Sequence, residues 1–231
     1  MSEIIQATGC VLSAMPIGEN DKRVVLLTRE LGRISAFARG ARRPGSMLMA
    51  ACSPFVFGTF TLLQGRSSFS IRQAEVRQYF TELAAEQPGV YYGYYFLDLA
   101  GYFSREGIDE TQTLNLLYLS VKALLHPHLE NRLVRRLFEI RLLTINGEFS
   151  PEIPAGRGDD ALSESARAVV RFAASGPMEK LYSFAVREDI LRELETAMNA
   201  YLRRVLDRPL KSLSVLEEMI FLENGLDIPQ T

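Results

Sequence analysis

Arg39, Arg42 and Arg43 lie in a short segment punctuated by Gly40 and Gly45, Arg33 precedes them, and no carboxylate falls between Arg33 and Arg43. A guanidinium stays charged at any working pH and presents its donors as a planar fork that matches phosphate oxygens. Four of them in this spacing form a candidate surface for a polyanion. A solvated loop that happens to be basic would leave the same pattern.

Other chemistry is thinly represented. The chain has no glycine-rich phosphate cradle ending in Lys-Ser or Lys-Thr and no Gly-x-Ser-x-Gly elbow. His128-Leu129-Glu130 matches only the opening of a zinc-deaminase signature, because the Pro-Cys-x-x-Cys that must follow is missing. With two histidines in the chain, His126 and His128, a histidine-rich metal site cannot be assembled, and both read as loop residues at a helix end. Cys10 and Cys52 are too few to build a disulfide framework, and Cys10 sits in an apolar strand pattern as a small core residue. The expectation is a protein that is not an enzyme and uses no cofactor and no metal.

The elements that must position the arginines follow from the chain's patterning. At 231 residues it suits one large domain or two modest ones. The net charge of -2 conceals two unlike parts, since residues 1–80 sum to +5 and the remainder to -7. A local field rather than the net charge steers a charged ligand, so the basic part is compatible with DNA or RNA. Ile4–Leu12, Val24–Thr28, Arg33–Ala38, Phe55–Leu63 and Ser68–Val76 alternate or carry β-branched and aromatic residues, with turns at Gly18-Glu19-Asn20-Asp21, Leu31-Gly32 and Gln64-Gly65-Arg66. Five short strands in this length fit a small barrel. The five-stranded OB-fold is the commonest of that size to bind oligonucleotides, and an SH3-like barrel has a similar strand count.

From Thr81 the period becomes helical. Pro88 lies near the start of an aromatic helix ending around Glu106-Gly107, and Asp109 can cap the next, which runs to Leu125 before His126-Pro127. Leu129–Ile145 is strongly helical and ends at Asn146-Gly147 as a C-cap. Pro151–Asp160 reads as a loop, and Ala161–Ala174, Arg187–Leu206 and Leu213–Leu222 supply further helices. No secretory signal is expected because Glu3 interrupts the start, and the apolar stretch Val90–Phe103 is too short for a bilayer. The reading is a cytoplasmic chain with no membrane partner, a barrel over residues 1–80 and a helical domain over residues 81–231.

Two further groups of residues have a functional reading beside a structural one. Tyr91, Tyr92, Tyr94, Tyr95, Phe96, Tyr102 and Phe103 could stack on bases, but on one helix they point in nearly every direction, and core packing is favoured. Phe37, Phe57, Phe60 and Phe69 are better placed beside the arginines, although most of them must also fill the barrel. On the helix from Leu129, Arg132, Arg135 and Arg136 occupy one side and Leu133, Leu137 and Ile140 another. That is an ordinary amphipathic helix with a solvated basic face, or a groove in which arginine and an apolar rim take an acidic, hydrophobic peptide.

Gly18-Glu19-Asn20-Asp21, Val25-Leu26-Leu27-Thr28-Arg29-Glu30-Leu31-Gly32-Arg33 and Ala38-Arg39-Gly40-Ala41-Arg42 resemble the N-terminal half of the RecO family of bacterial recombination mediators. Asn131-Arg132-Leu133, Phe138-Glu139-Ile140-Arg141-Leu142-Leu143 and Gly147 resemble its central helix, and Arg208-Pro209-Leu210-Lys211-Ser212-Leu213 its C-terminal signature. The resemblance implies an α+β multidomain fold, with an N-terminal five-stranded OB-fold barrel followed by an all-helical C-terminal domain. It implies binding of single-stranded and double-stranded DNA, strand annealing, and loading of a recombinase onto coated single strands with a RecR-type partner. A four-cysteine zinc site that many members carry after the central helix has no counterpart here, because Phe149–Asp160 contains no cysteine.

On this basis Lys22, Arg23, Arg33, Arg39, Arg42, Arg43, Arg66 and Arg72 are the expected DNA-backbone contacts. Arg132, Leu133, Arg135 and Arg136 are the expected site for a partner peptide such as the tail of a single-strand-binding protein. The alternatives are an adaptor that chiefly binds an acidic protein tail and an RNA-binding OB-fold factor. Nucleoid association in the cytoplasm completes the expectation.

Overall fold

The computed structural model describes residues 3–66, 68–85, 88–149 and 162–225. Five strands come first: β1 Glu3–Ile17, β2 Asp21–Thr28, β3 Gly32–Ala38, β4 Phe57–Gln64 and β5 Phe69–Gln78. A one-turn helix, α1 Leu48–Ala51, interrupts the link from β3 to β4. Helices α2 Gly89–Phe103, α3 Thr111–Leu124, α4 Asn131–Ile145, α5 Glu164–Ser175, α6 Glu188–Val205 and α7 Lys211–Gly225 follow.

The strands close into a ring in the order β1-β2-β3-β5-β4. Closure depends on the length of β1, whose first half pairs with β4 from Glu3 to Cys10 and whose second half pairs with β2 from Gly9 to Ile17. A register shift between Val11 and Ser13 bends the strand between its two partners. β3 and β5 close the remaining gap by a short parallel pairing, Ala36 to Phe69 and Phe37 to Ser70.

Period-two patterning is clearest in β3. Gly32, Ile34, Ala36 and Ala38 are buried, while Arg33, Ser35 and Phe37 between them are half-buried. Ile34, Ala36 and Ala38 join Ala7, Val11, Val24, Leu26, Phe60, Leu62 and Ile71 in one apolar core. Cys10 is buried without solvent access, as the apolar pattern around it implies.

Backbone packing divides the molecule into two units. One comprises the chain up to Thr81 together with Leu97–Tyr118, and the other comprises Glu82–Phe96 together with the chain from Leu119 onward. In the first, Phe57, Phe80 and Tyr118 pack edge to face with ring centres 5.3 to 5.6 Å apart. In the second, α4 is buried from Leu133 to Leu143, and Phe138 stacks on Phe96 at 4.2 Å.

One helix start follows a local signal and one helix end does not. Asp109 accepts the backbone N–H of Thr111 at 2.8 Å at the head of α3, and that bond holds its carboxyl below the usual range. The aromatic helix α2 stops at Phe103, short of the expected Glu106-Gly107, because the chain there turns to pair Glu106 with Gly32. Of its aromatics, Tyr92, Tyr95 and Phe96 are buried, but Tyr94 is 46% exposed, so the run is not apolar all round. The loop expected over Pro151–Asp160 lies outside the described residues. Among the described residues no helix is long and apolar enough to cross a membrane.

Candidate nucleic-acid interface

The arginine loop leaves β3 at Ala38 and is held from two sides. The Gly40 N–H donates to Asp21 Oδ1 at 2.8 Å, and the Arg42 N–H donates to the Asn20 carbonyl at 2.9 Å. Arg42 Nη1 donates to the Gly18 carbonyl at 2.9 Å, so the turn between β1 and β2 serves as the loop's floor. Ala41 is fully buried and anchors the segment, while Arg39, Arg42 and Arg43 remain exposed.

Strand register decides which other cations join them. Arg23 is exposed on β2 and sits directly opposite Phe37 near the end of β3, and its Nε donates to Ser35 Oγ at 2.9 Å. Arg72 is the extra residue of a register shift in β5, since Ile71 pairs with Leu62 and Gln73 with Thr61. A bulge re-aims a side chain outward, and Arg72 is exposed. Phe37 and Ser70 are partners in parallel strands, so Arg39 and Arg72, each two residues further on, lie level with one another where β3 ends. The fold thus gathers Arg23, Arg39, Arg42, Arg43 and Arg72.

The other three expected contacts are placed differently. Arg33 Nη1 donates to the Gly101 carbonyl, and its backbone N–H donates to the Arg105 carbonyl at 3.0 Å, which occupies it within its own unit. Lys22 Nζ donates to the carbonyls of Met49 at 2.9 Å and Cys52 at 3.2 Å, tying α1 to the start of β2. Burial pushes the Cys52 thiol up to about 11 against the pull of Lys22, so it is held as the neutral thiol. Arg66 is exposed in the β4–β5 turn, before the β5 end that pairs with β3 and away from Arg72.

The electrostatic state of the gathered group sets it apart. Among the described residues none of Arg23, Arg39, Arg42, Arg43 and Arg72 forms an ion pair with a carboxylate. The nearby Asp21 carboxylate accepts a backbone N–H instead. Unneutralised guanidiniums on one rim produce a local positive field, and a sugar-phosphate chain is a strand of matching charge.

The α4 arginines behave in the opposite way. Arg135 and Arg136 are 3% and 2% exposed, and Leu133 is 2% exposed, so the solvated basic face expected on this helix is not there. Arg135 Nε and Arg136 Nη1 each donate to the Glu139 carboxylate at 2.8 Å, and the Tyr95 hydroxyl donates to it at 2.8 Å. Burial pushes the Glu139 carboxyl up, but Arg136, Arg135 and Tyr95 outweigh it and hold the group below its ordinary value. Arg132 alone of the four reaches an open cleft of ≈ 600 Å³, where its guanidinium is ringed by Glu130, Glu188 and Glu195. The sequence carried a signal for the Glu139 pairing, since three and four residues are the helical contact spacings. It carried none for Arg132, whose partners Glu188 and Glu195 are 56 and 63 residues away.

The family model described as Recombination protein O N terminal matches residues 1–80, and the one described as Recombination protein O C terminal matches residues 155–214. The DNA repair protein RecO of Alkaliphilus metalliredigens is 32% identical over 144 residues, 62% of this chain and 58% of that protein. The protein of the same name from Desulforudis audaxviator is 35% identical over 153 residues, 66% of this chain and 60% of that protein. The one from Acetivibrio thermocellus is 22% identical over 244 residues, 93% of this chain and 97% of that protein. The matched stretch therefore spans less than two thirds of two of these relatives and nearly all of the third. Both ends of the chain match models of one family, in the order that family has them, and the chain belongs to the RecO family.

Proposed function

We propose that this protein is a non-enzymatic DNA-binding mediator of recombinational repair, and that its strand ring is an OB-type barrel that grips nucleic acid by the backbone. The observation that carries the reading is the group Arg23, Arg39, Arg42, Arg43 and Arg72, exposed around the end of β3 with no carboxylate partner among the described residues. Phosphate contacts give affinity and orientation but carry no sequence information, which suits a factor that acts wherever damage occurs. Residues 1–80 form the nucleic-acid-binding domain and residues 81–231 the helical domain in this reading. The names of the relatives, DNA repair protein, agree with it.

Single- and double-stranded DNA both present the charge that the rim would hold. Annealing of complementary strands follows physically, because two chains with neutralised phosphates repel each other less. Help in loading a recombinase onto coated single strands, with a RecR-type partner and the tail of a single-strand-binding protein, is the role the family resemblance assigns. Cytoplasmic, nucleoid-associated residence goes with it.

Fluorescence anisotropy with a labelled single strand across a salt series tests the reading. Four to six phosphate contacts give a log–log slope of roughly -3 to -4. No binding in dilute salt, or a slope near zero, overturns it. Competition by an RNA of equal length separates DNA preference from the RNA-binding alternative, which shares the electrostatics.

A further inference from the structure

We propose that Phe37 is a stacking platform for unpaired bases, with Arg23 beside it and Met15 beyond Arg23 on the outer face of the ring. The inference rests on the reading of the ring as a nucleic-acid-binding unit and adds which part of the ligand the sheet face takes. Four phenylalanines stand near the arginines in sequence, and three are committed to the interior: Phe57 is 6% exposed, Phe60 0% and Phe69 9%. Phe37 is half-buried, on the alternation that places Arg33 and Ser35 outward and Ile34, Ala36 and Ala38 inward.

The register sets Phe37 in a row. Met15 is opposite Arg23, Arg23 is opposite Phe37, and Phe37 is opposite Ser70. Directly opposed residues share a face of the sheet, so the row crosses four strands, about 14 Å at roughly 4.8 Å per strand spacing. Met15 is 58% exposed, so the row ends on an apolar side chain open to solvent. An apolar strip with a guanidinium in its middle and an arginine loop at its border matches a single strand, whose bases are flat and apolar-faced and whose backbone is anionic. At the Arg33 end the same face is engaged by the Gly101 and Arg105 carbonyls, which confines the open strip to the Phe37 end.

A base lying with its ring on Phe37 keeps its pairing edge outward. The platform would therefore hold a strand without blocking its complement, which is the condition annealing needs. A duplex has no free base face to offer, so the residue should distinguish single from double strands, whereas the arginine rim should not.

The chain contains no tryptophan, which makes Phe37→Trp a single-tryptophan reporter in the full-length protein. Its emission should be quenched by an oligothymidylate and left unchanged by a fully abasic oligonucleotide of equal length that binds through phosphates alone. Phe37→Leu, which keeps apolar bulk for folding, should bind single strands about tenfold more weakly. It should leave duplex binding and the salt slope as they are in the parent, because no charge is removed. Emission that stays unquenched at saturating oligothymidylate, or a Phe37→Leu variant that binds single strands as tightly as the parent, overturns the proposal. A parent protein that binds neither strand form in dilute salt sinks the broader reading and this one with it, and is distinguished by the parent's own titration.

Discussion

The Gly40 N–H and the Asp21 carboxylate, 19 residues apart, meet at 2.8 Å and hold the arginine loop against the start of β2. An acid beside three arginines would ordinarily neutralise one of them. Here it accepts a backbone hydrogen bond instead, and the loop gains order without losing charge. Asp21→Ala should cost about 1 kcal/mol of stability through the lost hydrogen bond. It should also weaken single-strand binding about threefold, because a looser loop must be ordered on binding. The sign is diagnostic, since removing a negative charge alone would tighten binding. An anisotropy titration in which Asp21→Ala binds more tightly than the parent would show that the carboxylate acts only as a repulsive charge.

The triple variant Arg39→Ala, Arg42→Ala, Arg43→Ala removes three proposed phosphate contacts. Each single-strand contact contributes about 0.7 to the salt slope, so the slope should shrink by about 2 and affinity should fall for all sequences alike. Exposed loop residues contribute little to folding, so the melting temperature should stay close to that of the parent. A slope equal to the parent's removes the loop from the interface.

Arg132→Ala makes the opposite comparison. The Arg132 side chain is 32% exposed and engaged by carboxylates, with its hydrogen bonds to Glu195 and then Glu188 holding its pKa above the ordinary arginine value. Its loss should leave the DNA salt slope unchanged and cost no more than about 1 kcal/mol, because solvent screens the pairs. If the acidic tail of a single-strand-binding protein docks in the cleft that Arg132 lines, a labelled tail peptide should lose binding to Arg132→Ala and keep it with the loop triple variant. Equal peptide binding by both variants would separate the tail from this cleft.

Glu139 gives a pH prediction. Its folded pKa lies below the ordinary 4.5, so its pairing contributes stability that is fully present above that value and is lost as pH falls through the folded pKa. Glu139→Gln should be destabilised by roughly 3 kcal/mol near neutrality, since two buried guanidiniums lose their counter-charge. Its stability should also fall less steeply on acidification than that of the parent. Urea midpoints from about pH 7 down to about pH 3 check both halves, and parallel curves for the two proteins would contradict the assignment.

Gly32 has φ +68°, and a Cβ there would lie 2.0 Å from the Arg105 carbonyl oxygen. Gly32→Ala should therefore destabilise by about 3 kcal/mol or more, through strain and through loss of the Arg33 contacts beside it. Gly45, at φ +77°, has open space around it, and Gly45→Ala should cost only about 1 kcal/mol for the backbone conformation. Thermal melts of the two variants compare them directly.

Short-range order was legible in the chain because it depends on neighbours a few residues apart. Alternation in β3, the turn after Ile17, the Asp109 cap and the helical period of α4 are all local, and so is the crowding of Arg39, Arg42 and Arg43 into one loop. Five strands followed by helices could be read in that way, and the order of the motifs carried the family. Which cations remain available was decided only by the tertiary structure. Arg33 meets a carbonyl 68 residues away, Arg132 meets carboxylates 56 and 63 residues away, and Arg72 joins the loop only because β5 runs parallel to β3. Those outcomes follow from ring closure and strand register, which bring distant residues face to face, and no window along the chain contains both partners.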